Sequence, residues 1–406
     1  MLSTVDVCID ACVLGTEKHL VRTGKGYSWQ RSVPPGIWHI SGEQKTCTTC
    51  LDTVLQLSHK EIDVFPPAQY VNAFRTLSSL ERPPWQKFMP VRAHRSFVEA
   101  LVSRVDAAMA DACFGFYTDT WVPEGDVLRS LCPARVDSRR ILSIVDSGAG
   151  NKHVVATFSP NVHGETFPVV YDRFGTVTGR LTVKSGPEIL TLKREYRDIV
   201  VPGTQGGRVM SVDFSALEVR VMLYELGIRC DSGDVYAQFA EEFGLSRDHA
   251  KFAVISRLYD IGEHTLGERL SVSGSALKKL IARIDAKLPT ETLLKRLRVQ
   301  HATNGYITNR FGRRIVVNDP IDMIFKNYYA QSTGVDVALL GFSSIVNEMK
   351  TSMPGVRPLF VLHDALVLDV PRVHIAAVDA IKTVNIKGYD QSFCVKASSF
   401  AASTTS

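Results

Sequence analysis

No run of about 18 consecutive apolar residues occurs in the 406-residue chain, so no segment is long enough to cross a bilayer as a helix. The first residues, MLSTVDVCIDACVLG, carry no basic cluster ahead of their apolar stretch, and a secretory signal peptide is not expected. No fixed period of self-similarity is present, which excludes solenoids and propellers. Charge of one sign is not in large excess. Lys and Arg number 47 against 42 Asp and Glu, a formal balance of +5. That permits a phosphate-rich partner without demanding one. Collagen, coiled coil and wholesale disorder are excluded by 45% hydrophobic and 22% charged residues. The 8 cysteines, without a secretion signal, imply reduced thiols in a cytosolic compartment or metal ligands. The length allows a sizeable core and, at roughly 150 residues each, two to three domains.

The first ninety residues read as irregular, because SVPPGIW, VFPPAQ and RPPWQ punctuate them. Residues 94–113 predict a helix with Phe97, Leu101, Val105 and Met109 on one stripe. From about residue 151 the texture changes. VVATFSP and FPVVYDR predict short strands, and GRVMSVDF a strand running to Asp213. ALEVRVMLYELG predicts a helix stopped by Gly227. Ser232 or Asp234 would cap VYAQFAEEFG, and Ser246 would cap RDHAKFAVISRLYDIG. A basic helical stretch follows at 276–301 with a break near Pro289, and helical periodicity resumes at 326–350. PLFVLHDALVLDVP predicts a hairpin around His363-Asp364.

Three places carry chemistry. Asp213 ends an apolar strand at a strand-to-helix junction, where a carboxylate can hold a metal or cap a helix, and Glu218 follows within that helix. Arg247, Lys251, Ile255 and Tyr259 are spaced four apart on one helix face. The two cations stand in the first turns, where the dipole also attracts anions, so a polyphosphate could lie there; a solvated basic face is the alternative. Asp364 sits at the tip of an apolar hairpin, either a turn former or a metal ligand. Two distant carboxylates with a basic helix between them suit Mg²⁺-assisted phosphoryl transfer.

In order, DFSALEVR, RDHAKFAVISRLYDIG and LHDALVLDV resemble motifs A, B and C of family A DNA polymerases, the family of bacterial DNA polymerase I and several phage replicases. TVTGRL at 176–181, NGYITNRFGRRIVV at 304–317 and NYYAQSTGVDVALLGF at 327–342 resemble further segments of that family. The resemblance spans about residues 150–375. It implies an α/β (α+β) right-hand fold with palm, fingers and thumb, an antiparallel palm sheet and helical fingers. Asp213 and Asp364 match the two metal-binding carboxylates, with the backbone carbonyl of Phe214 helping to hold two Mg²⁺ ions. Glu218 takes the steric-gate position that crowds a ribose 2′-OH. Arg247 and Lys251 match the triphosphate contacts, Lys251 also the acid for departing pyrophosphate. Tyr259 matches the ring near the templating base. Arg180, Asn327, Gln331 and His363 match positions that hold the primer terminus and its minor groove.

Several positions depart from the family pattern. Ile255 stands where Phe or Tyr usually meets the sugar, and Ala365 where Glu usually follows the motif C Asp. Tyr236 replaces a His that touches the triphosphate, and Asp260 replaces a Gly. GPEILTLK lacks the family's Asn-rich contacts, and the short interval from Asp213 to Arg247 implies trimmed fingers. Asp10 is a lone acid where a D-x-E pattern would mark a proofreading nuclease, so no 3′–5′ exonuclease is expected. Cys8 and Cys12 form one close pair and Cys47 and Cys50 another; together they could hold a tetrahedral zinc or be reduced thiols.

The expected organisation is an N-terminal region at 1–90 of unassigned role, a reduced thumb at 91–150, palm at 151–231 and 326–406, and fingers at 232–325. The expected activity is template-directed addition of dNTPs to a primer in the cytoplasm, that of a host cell if the chain is phage-encoded. Primer-template DNA is the partner, a processivity or replisome protein a further one, and no membrane is involved. Rival readings are a single-subunit RNA polymerase, which Glu218 opposes, and a non-catalytic primer-template binding protein derived from a polymerase.

Overall fold

In the computed structural model, which describes residues 7–23, 26–33, 38–40, 51–58, 66–78, 83–148, 150–230, 233–259 and 261–401, the chain divides between Val122 and Pro123 into two units. That boundary falls inside the span 91–150 assigned from sequence to one thumb.

Short strands build the first unit where the sequence reads as irregular. β1 (Val7–Ile9) pairs antiparallel with β2 (His19–Thr23), which pairs with β3 (Gly26–Gln30). On its other edge β1 pairs parallel with β4 (Trp38–Ile40). All three residues of β1 are buried, as in a strand covered on both faces. Strands of three to five residues are too short to write a period into the sequence. Pro34 and Pro35 lie outside the described residues, but three later prolines act as starts, not as breaks. Pro67, Pro84 and Pro90 stand directly before Ala68–Leu77, Trp85–Phe88 and α1 (Val91–Ala110). A helix start tolerates proline because the missing N–H would have no helical partner anyway. α1 buries Phe97, Leu101 and Val105 as the stripe predicts; Ala108 completes the buried face and Met109 is half-buried.

The second unit is built on a five-stranded antiparallel sheet. Its strands are β5 (Arg208–Phe214), β6 (Arg357–Leu362), β7 (Ala365–Val370), β8 (Thr383–Val384) and β9 (Phe393–Ser399), in the order β6-β7-β5-β9-β8. β6 and β7 are the expected hairpin. The helices that matter for the site are α2 (Val122–Ser130), α3 (Leu217–Glu225), α4 (Val235–Phe243), α5 (Arg247–Leu258), α6 (Gly274–Lys287), α7 (Glu291–Asn304) and α8 (Asp322–Ser352). α6 and α7 separate around Pro289, where proline cannot continue a helix. Residues 154–160 depart from expectation: Lys152–Ala156 is a single helical segment whose Val155 is fully buried. A β-branched pair in so short a stretch is decided by packing, not propensity.

α8 lies against the middle of this sheet. At Gly341 an added Cβ would come within 2.6 Å of the Phe214 ring, so the helix approaches β5 only because that residue is glycine. Phe342 packs on the same ring at 5.6 Å between centroids. This contact fixes the end of β5, where the chemistry sits. No helix among the described residues is long and apolar enough to cross a membrane.

Candidate active site

Strand register brings the two carboxylates together. Asp213, the penultimate residue of β5, pairs across with Ala365, and Asp364 immediately precedes that partner. The Phe214 N–H donates to the Asp364 carbonyl at 3.0 Å. His363 makes the hairpin turn in the left-handed region at φ 56°, which leaves Asp364 at the strand end. Asp213 remains open to solvent on one side, yet its carboxyl is held up at about 6 by partial withdrawal from water, then by the charge of Asp364, against the pull of Arg197. Asp364 is also raised, first by burial, with the charge of Glu218 adding. Two adjoining acids that both resist ionisation suit a divalent cation, which reverses that cost. The donor chemistry therefore fits the Mg²⁺ that the sequence implies.

Glu218 is the second focus. After β5 the chain turns through Ala216, in the left-handed region at φ 53°, and enters α3 with Glu218 in the first turn. Its carboxylate accepts from Arg180 Nη2 at 2.7 Å and from the Tyr259 hydroxyl at 3.2 Å. Tyr259 closes α5, and burial followed by the Glu218 charge holds its phenol well above the usual range. Arg180, Glu218, Gln331, His363 and Asp364 line one cleft of about 570 Å³. Gly334 of α8 lines it too; a Cβ there would meet the Glu218 side chain at 3.4 Å. Asn327 is half-buried one helical turn before Gln331 and is not among the residues lining the cleft.

The cations gather around Tyr236. Asp234 caps α4 by accepting from the backbone N–H of Tyr236 and Ala237; position 232 lies outside the described residues, as does position 260. Ser246 caps α5 by accepting from the His249 N–H. Arg247 of α5 pairs with Asp234, and that bond raises the guanidinium's proton affinity. The Arg247 guanidinium lies 5.7 Å and the Lys251 ammonium 5.5 Å from the centre of the Tyr236 ring. Both cations are largely exposed at the start of α5, where helix N–H groups also favour an anion. Burial pushes the Tyr236 phenol up to about 12, and the charge of Glu218 adds to that shift, so this cluster and the Glu218 focus share one field. Ile255 is half-buried on the same helix.

Three features escape sequence reasoning. Arg197 sets its guanidinium over the Phe400 ring at 5.0 Å, its Nε is buried without a hydrogen-bond partner, and its charge opposes the rise at Asp213. Nothing in KREYRD singles it out. Arg220, 1% exposed, donates from Nε to the Ser215 carbonyl at 3.1 Å and from Nη2 to the Gly233 carbonyl at 2.5 Å. An Arg on a helix whose neighbours are all apolar is the signal that could have found it. Third, Arg313 pairs with Asp336 and reaches Glu124 at 3.4 Å, Glu124 also pairs with Arg173, and all four are buried or nearly so. An added Cβ at Gly179 would meet the Arg313 guanidinium at 2.6 Å, so the TVTGRL and GRR segments touch. Of the four cysteines weighed as zinc ligands, Cys47 and Cys50 lie outside the described residues, and Cys8 and Cys12 are unbridged.

The sequence model of DNA polymerase family A matches residues 152–397, more than half of the chain. A DNA polymerase of Mycobacterium phage L5 is 30% identical over 139 residues, 32% of this chain and 23% of the phage protein. That of Mycobacterium phage D29 is 32% identical over 147 residues, 32% of this chain and 24% of its own length. The thermostable DNA polymerase I of Thermus aquaticus is 23% identical over 239 residues, 51% of this chain and 28% of that enzyme. The chain thus matches about a quarter of the length of these relatives. Among solved structures, the POL domain of Pol1 from M. smegmatis, in complex with DNA primer-template and dNTP, shares the fold at a TM-score of 0.59 and 13% identity, over 98% of this chain and 95% of that one. The paired carboxylates at the ends of two neighbouring strands, the capped basic helix and the matched span have one common explanation: the chain belongs to DNA polymerase family A.

Proposed function

We propose that the chain is a template-directed DNA polymerase that adds dNTPs to a primer 3′-hydroxyl. The observation that carries this is the register of Asp213 against Ala365, which sets Asp213 and Asp364 side by side at the ends of two neighbouring interior strands. The two carboxylates and the Phe214 carbonyl would hold two Mg²⁺ ions. Bound there, the ions would activate the attacking hydroxyl and stabilise the leaving oxygen. Arg247 and Lys251 draw the triphosphate to the start of α5, and Lys251 gives a proton to the departing pyrophosphate. The Tyr236 ring beneath both cations supports them where a His is usual. Glu218, braced by Arg180 and Tyr259, crowds a ribose 2′-OH, which favours dNTPs over rNTPs and disfavours the RNA polymerase reading. Tyr259 stands by the templating base, with Ile255 beside the sugar. Arg180, Asn327, Gln331 and His363 take the primer terminus.

In this reading residues 151–231 and 326–406 are palm, 232–325 fingers, 91–150 thumb and 1–90 a region of unassigned role. A processivity partner assists, and the enzyme works in a host cytoplasm. The deciding experiment is extension of a labelled primer-template with Mg²⁺ and dNTPs. The parent extends, and Asp213→Ala and Asp364→Ala do not. Extension by either variant would remove the carboxylates from the reaction; no extension by a folded parent that binds the duplex would favour the non-catalytic reading.

A further inference from the structure

Outside the polymerase site, one mixed set of donor atoms converges in the first unit. The sulfur of Cys8, a carboxylate oxygen of Asp10 and a ring nitrogen of His19 all lie within 4.8 Å of one another. The strand geometry explains how. Cys8 and Asp10 are two residues apart and so emerge on the same side of the chain. The register Cys8↔Val21 and Ile9↔Leu20 continues to set His19 opposite position 10. Cys8 is fully buried, while Asp10 and His19 keep 17% and 27% of their side-chain surface, so an ion could enter from solvent.

We propose that Cys8, Asp10 and His19 form a zinc site, distinct both from the magnesium carboxylates and from the four-cysteine set weighed from sequence. The spacing carries the proposal. The thiol sulfur lies 3.5 Å from Asp10 Oδ1, and His19 Nδ1 lies 3.3 Å from the same oxygen. With zinc bonded to sulfur at about 2.3 Å and to nitrogen and oxygen at about 2.0–2.1 Å, the edges of a tetrahedron are about 3.5–3.6 Å for S···O and about 3.3–3.4 Å for N···O. Those two edges already stand at these separations, and the sulfur and the ring nitrogen lie within 4.8 Å of each other. One thiolate, one imidazole and one carboxylate is also a zinc-type set, whereas magnesium takes oxygen alone.

The hydrogen-bonding at His19 points the same way. Its Nδ1 faces the Ala11 N–H at 3.3 Å and Asp10 Oδ1 at 3.3 Å. One ring nitrogen cannot accept from the first and donate to the second. A cation between nitrogen and carboxylate takes up the ring lone pair that faces Asp10, at the expense of one long contact to Ala11 and of the bond from the Cys8 thiol to Asp10. On binding, the Cys8 S–H bond breaks, its proton leaves to solvent and the zinc–sulfur bond forms without change of oxidation state. Water fills the fourth position. The ion would clip β1 to β2 beside Cys12, which does not belong to the converging set.

The test uses the full chain, stripped of metal and titrated with Zn²⁺ and, as a spectroscopic probe, Co²⁺. A single equivalent is expected to bind, with the sulfur-to-cobalt charge-transfer band of one thiolate. Cys8→Ser should abolish that band. His19→Gln, a half-exposed position that leaves the core intact, should weaken Zn²⁺ binding at least about tenfold. Cys12→Ser and the pair Asp213→Ala and Asp364→Ala should leave zinc bound as in the parent. Absence of a thiolate band would overturn the proposal and leave a plain His19–Asp10 ion pair. So would zinc that survives both Cys8→Ser and His19→Gln, or that is lost only with Cys47→Ser and Cys50→Ser.

Discussion

Tyr259 donates its hydroxyl hydrogen to Glu218 across 41 residues of sequence, at 3.2 Å. Arg180 holds the other oxygen of the same carboxylate at 2.7 Å. The carboxylate is thus fixed from two sides, one a ring at the end of α5 and the other a guanidinium from the TVTGRL segment. A side chain that excludes a 2′-OH must be rigid, because a free Glu would swing aside. Glu218→Ala is expected to lower the preference for dNTP over rNTP at least about tenfold, measured as the ratio of kcat/KM values. Tyr259→Phe keeps the ring but drops one of the two braces, so its loss of preference should be smaller. Arg180→Ala, which also removes the proposed primer contact, should lose overall kcat/KM for both nucleotides.

Much of this site is legible in sequence because its parts are local. A strand carrying Asp213 near its end, a Ser246 cap and a four-residue spacing of cations on α5 are each written within a dozen residues, and the structure builds each of them, with the strand running one residue further to Phe214. What is not legible depends on long-range register. His363 adopts a left-handed backbone without being glycine, and Arg197 gains its meaning only from Asp213 and Phe400. Glu124 meets Arg313 across 189 residues. The first unit hides for another reason: its strands are shorter than the period a sequence needs to show them.

Asp234 already holds the guanidinium of Arg247. It is the cap of α4 as well as the ion-pair partner of the candidate triphosphate contact. Asn caps a helix about as well as Asp but carries no charge. Asp234→Asn should therefore spare α4, free Arg247 and lower KM for dNTP by a few-fold at most, because the pair is exposed and screened. Arg247→Ala should raise KM about tenfold or more, since a charge-assisted contact to phosphate has no substitute on that turn. Steady-state kinetics at two salt concentrations would check both, with the gain in Asp234→Asn shrinking at high salt.

The buried network predicts stability rather than rate. Arg313 keeps 6% of its side-chain surface, and Asp336 and Glu124 keep none. Burial holds the Glu124 carboxyl well above its usual range, with Asp336 adding and Arg173 and Arg313 opposing. Asp336→Ala leaves Arg313 with its weaker partner and strips Asn309 of an acceptor at 2.7 Å. Removing one partner of a buried pair costs about 3–5 kcal/mol. In a unit of this size that is a fall in Tm of roughly 10 °C, readable by calorimetry. A fall much smaller than this would mean that the remaining charges reorganise around the gap.

Arg197 offers a prediction with opposite signs at the two ends of the pH scale. Asp213 is raised from 3.8 to about 6, so between those values the folded chain binds more protons than the unfolded one. Without metal, stability should accordingly fall as pH rises from about 4 through about 6, and level off above. Arg197 is the charge that pulls Asp213 back down. Arg197→Met keeps an apolar side chain over Phe400 while removing that pull. The fall in stability should then extend to higher pH, and polymerase activity should need a higher pH to appear, because the carboxylate must ionise to hold its cation. At a pH well above both values the sign reverses: with a neighbouring positive charge gone, half-saturation by Mg²⁺ should come at lower concentration than in the parent. A purely packing role for Arg197 would move Tm and activity together at every pH and leave the Mg²⁺ dependence where it was.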